Sequence, residues 1–316
     1  MTEIRMETPT KMRRKLSIRQ AGYSPLSPPS NGLSSAPSRR LLSILIVALL
    51  VLPSCADFGP VKDYAALSKQ ASAGYSGIID DMYQSCLRSA EFDPPSNADT
   101  PEKHCVEWKE IQPGLLHVES TLQDYLVAVG KLAGNETISY DKNLDSLRNE
   151  VEDIKLSGKS VFGSKQVDAI AGLAGFLLKA ATDGYRQRQL ERTFSAQNEN
   201  VKTLTAALKD IIAHDYEKRL ENEEIAIEAF RVRLHRASDQ SLAVEIGMRQ
   251  VQEHLWDIEK RKEAAENYVK TLDLIAKGHQ QLFEHKKDLG SKELSKLLWD
   301  DASEMIPLIH GIQKAF

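Results

Sequence analysis

Between Tyr185 and Ile246 the chain contains neither glycine nor proline, so nothing there obliges the backbone to leave the helical region. Past a short polar segment at Ser238, the residues Val244, Met248, Val251, Leu255, Ile258, Lys262, Ala265, Val269, Leu272, Ala276, His279 and Phe283 follow a seven-residue repeat. A sustained period of 3.5 residues marks a helix that buries one seam against another helix. The partner lies upstream, where Val201, Leu204, Leu208, Ile211, Leu220, Ile227, Phe230 and Leu234 form an amphipathic stripe. A short turn between two long helices implies an antiparallel pair. A helix of roughly 45 residues, rising ~1.5 Å per residue, spans roughly 68 Å. The expected fold is therefore all-α: an elongated helical bundle with a long antiparallel coiled-coil hairpin, paired within one chain or between chains of a homo-oligomer.

The rest of the chain supports that reading. Aromatic residues make up only 6%, and strands favour aromatic and β-branched side chains. A first helix is expected from about Lys62 to Arg88, weakened at Gly74 and Gly77 and stopped before Pro94-Pro95. A second should follow Pro113, with Val118, Leu122, Tyr125, Leu126 and Val129 on one face and Gly134-Asn135 as its end. Tyr140, Leu144, Leu147, Val151 and Ile154 recur at helical spacing and predict a third. No strand-like alternation or hairpin dipeptide is evident. The last helix begins near Ser291 and should bend at Pro307.

The N-terminus reads as an address. Arg39-Arg40 precede LLSILIVALLVLPSC, a cationic region followed by a short, intensely apolar run that ends in small residues. This is the layout of a secretory signal. From Leu41 to Leu52 the run is too short for the roughly 20 residues a transmembrane helix needs. Leu52-Pro53-Ser54-Cys55 resembles the lipobox of bacterial lipoproteins. The resemblance covers this signal alone and implies nothing about the helical body. It implies that the Cys55 thiol receives a diacylglycerol, that the bond before it is cut, and that the new amino terminus is acylated. The palmitate-like chains would hold the protein on a membrane, since one chain alone binds only marginally. In this family an Asp after the cysteine favours inner-membrane retention; Ala56 stands there, which points to the outer membrane, facing the periplasm. The expected organisation is 1–54 as extension plus cleaved signal, 55–60 as lipidated tether, 61–160 as N-terminal helices with a disulfide loop, and 161–316 as the hairpin and C-terminal helix. The last two segments are expected to pack as one body.

Cys86 and Cys105 flank the Pro-rich loop FDPPSNADTPEKH. In an oxidising compartment two such thiols are expected to join.

The chain carries 41 basic and 45 acidic residues, of which the first 54 positions hold eight and two. The remainder, 33 against 43, is acidic, which argues against nucleic acid as a partner because phosphate binding needs a basic surface.

Motifs for chemistry are sparse. No histidine has a glutamate three residues before it, as helical di-metal sites require. There is no HExxH, GxSxG, GxGxxG or P-loop, and no metal or cofactor is expected. His279 falls on the heptad seam and reads as a core or register residue. The charge-rich stretch Glu217 to Glu228 reads as a solvated face. AIAGLAGFLLKAA at 169–181 is apolar and rich in small residues. It is either a membrane-inserting segment like those of helical pore-forming toxins, or a tightly packed buried helix in which Gly172 and Gly175 let a neighbour approach.

These readings lead to a non-enzymatic, membrane-anchored lipoprotein whose hairpin seam (Val244, Met248, Val251, Leu255, Ile258, Val269, Leu272, Phe283) acts as spacer or docking surface for an envelope protein. The alternatives are a helical-bundle ligand-binding module, or a membrane-inserting protein resembling helical pore-forming toxins that uses residues 169–181.

Overall fold

The computed structural model describes residues 58–92, 100–139, 146–182, 185, 187–236 and 241–316. The expected lipid site Cys55 and the leader before it lie outside the described residues, as do Tyr140 and Leu144. Helix α1 runs Gly59–Ser72 and α2 runs Tyr75–Phe92. A single turn, α3 (Pro101–His104), leads into α4 (Val106–Ala133) and the short α5 (Leu147–Glu152). Then come α6 (Ser164–Thr182), α7 (Leu190–Ile211), a π-helical turn (Ile212–Tyr216) and α8 (Glu217–Arg236). Helix α9 (Leu242–Glu284) and α10 (Lys292–Gln313) complete the chain. The fold is all-α. Between α5 and α6 sits a two-residue hairpin, β1 (Lys155–Leu156) and β2 (Lys159–Ser160), in antiparallel register.

Helix α9 is 43 residues long, which at ~1.5 Å per residue is roughly 65 Å. Its partner is the continuous rod α7–π turn–α8, and the contacts give the direction. Asn198 meets His279, Lys209 meets Asp273, Glu224 meets Lys262, and Leu234 lies against Gly247. As one helix ascends the other descends, so the pair is antiparallel and within one chain. The π turn has a packing reason. Leu208, Ile212, Tyr216 and Leu220 are all buried, and spacings of four drift about 40° each around a helix of 3.6 residues per turn. Widening one turn offsets that drift and keeps Tyr216 on the inner side.

Along α9 the seam changes character. Val251, Ile258 and Leu272 are buried, while Met248, Leu255, Val269 and Phe283 are half-buried, as is Val244. Beyond Arg261 burial extends around the helix to Ala264, Tyr268, Thr271, Ile275, Gly278 and Leu282, because α1 and α10 cover the faces that α7 leaves open. A two-helix seam thus gives way to a multi-sided core.

Gly278 makes that covering possible. A Cβ there would stand 2.3 Å from the Tyr64 ring, so only glycine admits α1 at this distance. The Tyr64 hydroxyl donates to the Ile275 carbonyl at 2.5 Å and the Tyr268 hydroxyl to the Ser72 carbonyl at 3.1 Å. Helix α1 therefore runs antiparallel to α9, its first turn toward the α9 C-terminus. Helix α4 packs on α1, α2 and α6 and carries the buried Leu115, Val118, Leu122, Tyr125 and Val129.

Several expectations are corrected. The first helix is two, because the chain turns at Ala73–Gly74, where the missing Gly74 side chain leaves room for Ile312 of α10. Helix α4 begins before Pro113 and passes through it; Ile111 and Leu115 bury its opening turns, offsetting the one backbone hydrogen bond that proline removes. Helix α10, expected from near Ser291, runs from Lys292 to Gln313 with Pro307 inside it. The β1–β2 hairpin turns at Ser157 (φ 52°) and Gly158 (φ 75°), the pair of positive φ values that a tight hairpin favours. Gly175 has nothing near its would-be Cβ, whereas Gly172 sits against Asn200.

Candidate functional site

The half of the hairpin formed by α8 and the first part of α9 combines a buried ionic cluster, at Arg261 near the middle of α9, with an exposed apolar face that begins at Leu242. The cluster joins three elements. Asp81 and Arg88 come from α2, Glu223 from α8 and Arg261 from α9, with Tyr216 reaching in from the π turn. Arg261 places Nη1 3.1 Å from Asp81 Oδ2 and 2.9 Å from Glu223 Oε2, and Nη2 3.0 Å from Glu223 Oε1. Arg88 donates through Nε to Glu223 Oε1 at 2.8 Å and through Nη2 to Asp81 Oδ1 at 2.6 Å. The Tyr216 hydroxyl donates to Asp81 Oδ2 at 2.7 Å.

Two guanidinium groups thus face two carboxylates, and each of the four carboxylate oxygens accepts at least one hydrogen bond. Burial by itself opposes charge on Arg261 and Arg88, yet the hydrogen bonds to Glu223 and the charges of Asp81 and Glu223 raise both above the ordinary arginine value. Glu223 is fully buried. Desolvation pushes its carboxyl up, but hydrogen bonds and charge from Arg261 and Arg88 win and hold it below the usual range. Burial beside Asp81 drives the Tyr216 phenol up, keeping it neutral. Paired carboxylates of this kind accept hydrogen bonds and hold charge, and here they link α2 to both helices of the hairpin.

The outer side is different. Leu242 is 71% exposed and Trp256 60%. With the exposed Ile246, they fall within an arc of about 80° at 100° per residue, opposite the seam residues Val251 and Ile258. On α8, Ile225 and Val232 are exposed and seven residues apart, which sets them on one stripe facing away from the buried Glu223 and Ile227. Exposed large apolar side chains that share a face mark contact surfaces more than scattered ones do.

The solvated face expected for Glu217 to Glu228 is corrected at one residue, Glu223, which is the centre of the cluster. Its flanks Glu221 and Glu228 carry exposed ion pairs. The sequence offered a signal that went unused: Tyr216, Leu220, Glu223 and Ile227 continue the buried stripe at helical spacing, and a glutamate on such a stripe needs a buried cation.

Other expected site residues fall elsewhere. Cys86 and Cys105 are joined, with sulfurs 2.04 Å apart and Cα atoms 5.8 Å apart; the bond ties α2 to the start of α4. His279 is buried 2.6 Å from the Tyr125 hydroxyl and 3.0 Å from Asn198 Oδ1, with Phe194 edge-on to its ring. Burial, aided by the charge of Lys202, pushes its pKa down to about 3, so it stays neutral. It is a core residue with hydrogen-bond partners. Residues 169–181 lie in α6, whose Ile170, Leu173, Phe176 and Leu177 are buried in the core. Among the described residues no helix is long and apolar enough to cross a membrane, and no group of three or more His, Cys, Asp or Glu could hold a metal ion.

No protein-family model, curated protein or solved structure matches the chain.

Proposed function

We propose that the protein is a lipid-anchored envelope component that carries a docking face on a rigid helical hairpin, held away from the outer membrane and turned toward the periplasm. One observation carries the reading. The first turn of α1 points toward the C-terminal end of α9, while Leu242, Ile246 and Trp256 occupy the opposite end. From Trp256 to Ile275, where Tyr64 bonds, the rise is roughly 28 Å at ~1.5 Å per residue, and the exposed tip lies further out. A lipid on Cys55 would therefore sit at one end of the rod and the apolar face at the other. The ionic cluster and the Cys86–Cys105 bond brace the half of the hairpin that would meet a partner, which is a protein. The role is non-enzymatic.

Mass spectrometry of the N-terminal peptide from membranes tests the anchor, with a diacylglyceryl cysteine as the expected first residue. Cross-linking in envelope extracts tests the docking face. A protein partner should be captured by the wild-type chain and lost when Leu242, Ile246 and Trp256 are replaced by serine. Capture that survives the triple replacement, or no specific partner at all, would count against the reading. The seam residues Leu255 and Ile258 suit this test poorly, since Ile258 is fully buried and a charge there would unfold the hairpin.

A further inference from the structure

A groove of about 400 Å³ runs between α1 and α10. Its lining is largely apolar: Pro60 and the Tyr64 ring from α1, Leu298, Trp299 and Ala302 from α10. Trp299 is 69% exposed, so its ring offers the groove apolar surface still in contact with water. Tyr64 and Leu298 are buried and rigidly held, Tyr64 by its hydrogen bond to the Ile275 carbonyl, so the floor of the groove is preformed. Asp63 and Lys296 supply charge along the same lining. The volume lies within the ~300–1,000 Å³ typical of sites for apolar small molecules.

The occupant is indicated by chain connectivity. Pro60 follows Cys55 by five positions, and an extended chain spans at most ~3.5 Å per residue. Whatever path the tether takes, the Cys55 Cα lies within roughly 17 Å of the Pro60 Cα, a bound set by covalent geometry. A fatty chain attached there is delivered to the groove at high effective concentration, because its encounter with the groove is intramolecular. An apolar chain gains by leaving water for such a surface.

We propose that the α1–α10 groove is an acyl-chain site that seats one fatty chain of the lipid borne by Cys55. The proposal rests on the lipid-anchor reading above and adds to it where one chain goes. Seating a chain along Tyr64 and Trp299 shields it from water while the protein is off the bilayer, and fixes the angle between anchor and hairpin when the remaining chains are in it.

The experiment uses the full-length chain made in bacteria fed a diazirine-bearing palmitate analogue, with membranes irradiated and peptides mapped by mass spectrometry. The expected result is label on the Cys55 peptide together with intramolecular cross-links to the peptides carrying Pro60–Tyr64 or Leu298–Ala302. Those links should fall severalfold in Ala302→Trp, which fills the groove at a partly exposed position and should leave the helical circular dichroism unchanged. Label on Cys55 with cross-links only to phospholipid, or to residues outside the groove, overturns the acyl-chain site while leaving the anchor intact. A Cys55 peptide carrying no label overturns the anchor itself, and the acyl-chain site with it. If Ala302→Trp fails to fold, the cross-link map of the wild-type chain decides alone.

Discussion

The two ends of the long hairpin are held by different physics. At the proximal end, α7 and the second half of α9 sit inside a core closed by α1 and α10, where Leu272, Ile275 and Leu282 are fully buried. At the distal end, α8 and the first half of α9 have a narrow apolar seam, and α2 is fastened to them by Asp81, Arg88, Glu223 and Arg261. The contrast teaches where each kind of interaction is useful. Apolar packing is non-directional and works where neighbours surround a helix. A charge network is directional and gives one register where few neighbours are present, although burying its members is costly unless all are satisfied.

The sharpest way to break this comparison is to remove one member of the network. Arg261→Met leaves Asp81 and Glu223 with Arg88 as the cluster's one cation and should cost about 3–5 kcal/mol. Adding Glu223→Leu should restore most of it, because an apolar pair of similar volume can replace a buried ion pair. Urea unfolding of both variants checks this. A loss below about 1 kcal/mol for Arg261→Met, the range of surface pairs, would mean the distal end is not held by charge.

Next in size is the covalent tie on α2, the helix that carries half of the cluster. Replacing Cys86 and Cys105 together by serine opens a link between residues 19 apart in sequence and should cost about 3 kcal/mol. Amide exchange should rise in α2 before it rises in α7. Uniform loosening of both ends would dissolve the distinction between them.

Acid sharpens the comparison further, because the two ends respond in different windows. His279 at the proximal end has its folded pKa depressed to about 3 from 6.5. Between these values the unfolded chain binds the proton and the folded one does not. Stability is therefore complete above about pH 6.5 and falls with acidification by up to about 1.4 kcal/mol per pH unit. Glu223 at the distal end has a folded pKa below its ordinary 4.5. Its contribution is intact above 4.5 and is lost as pH drops through the lowered value. Melting temperatures should thus fall from pH 7 to 5 through His279, against the opposite slope of the Asp215, Glu217 and Asp301 carboxyls that burial raises, and His279→Gln should remove the downward part of the profile. A profile unchanged by the replacement would remove the histidine from the argument.

What could be read from the sequence follows the same division. The heptad run predicts a long α9 and its antiparallel partner because apolar periodicity is a local property of one helix. The disulfide was legible as two cysteines flanking a Pro-rich loop, read with an expected oxidising compartment. The cluster was hidden because its members lie in α2, α8 and α9, and within each helix a lone charge looks like a solvated one. Only the phase of Glu223 relative to Leu220 and Ile227 betrays it. Gly278 was hidden for a related reason: a glycine inside a helical repeat looks like a weakness until the Tyr64 ring is seen against it. The π turn is marked by no residue type at all, since it answers to the spacing of Leu208, Ile212 and Tyr216 as a set.

The smallest expected effect on stability is the one that separates a docking face from a core. Replacing Leu242, Ile246 and Trp256 by serine exchanges apolar surface most of which is already in contact with water for polar surface, and removes no fully buried side chain. Each change should therefore stay within about ±0.5 kcal/mol, the range of exposed positions, and urea midpoints should hardly move. If the three residues instead packed against α8, their loss would open cavities and cost about 2 kcal/mol or more each. A stable triple variant that no longer captures its partner would place the binding energy on this face, because the fold beneath it, fixed by Arg261 and Glu223, would be unaltered.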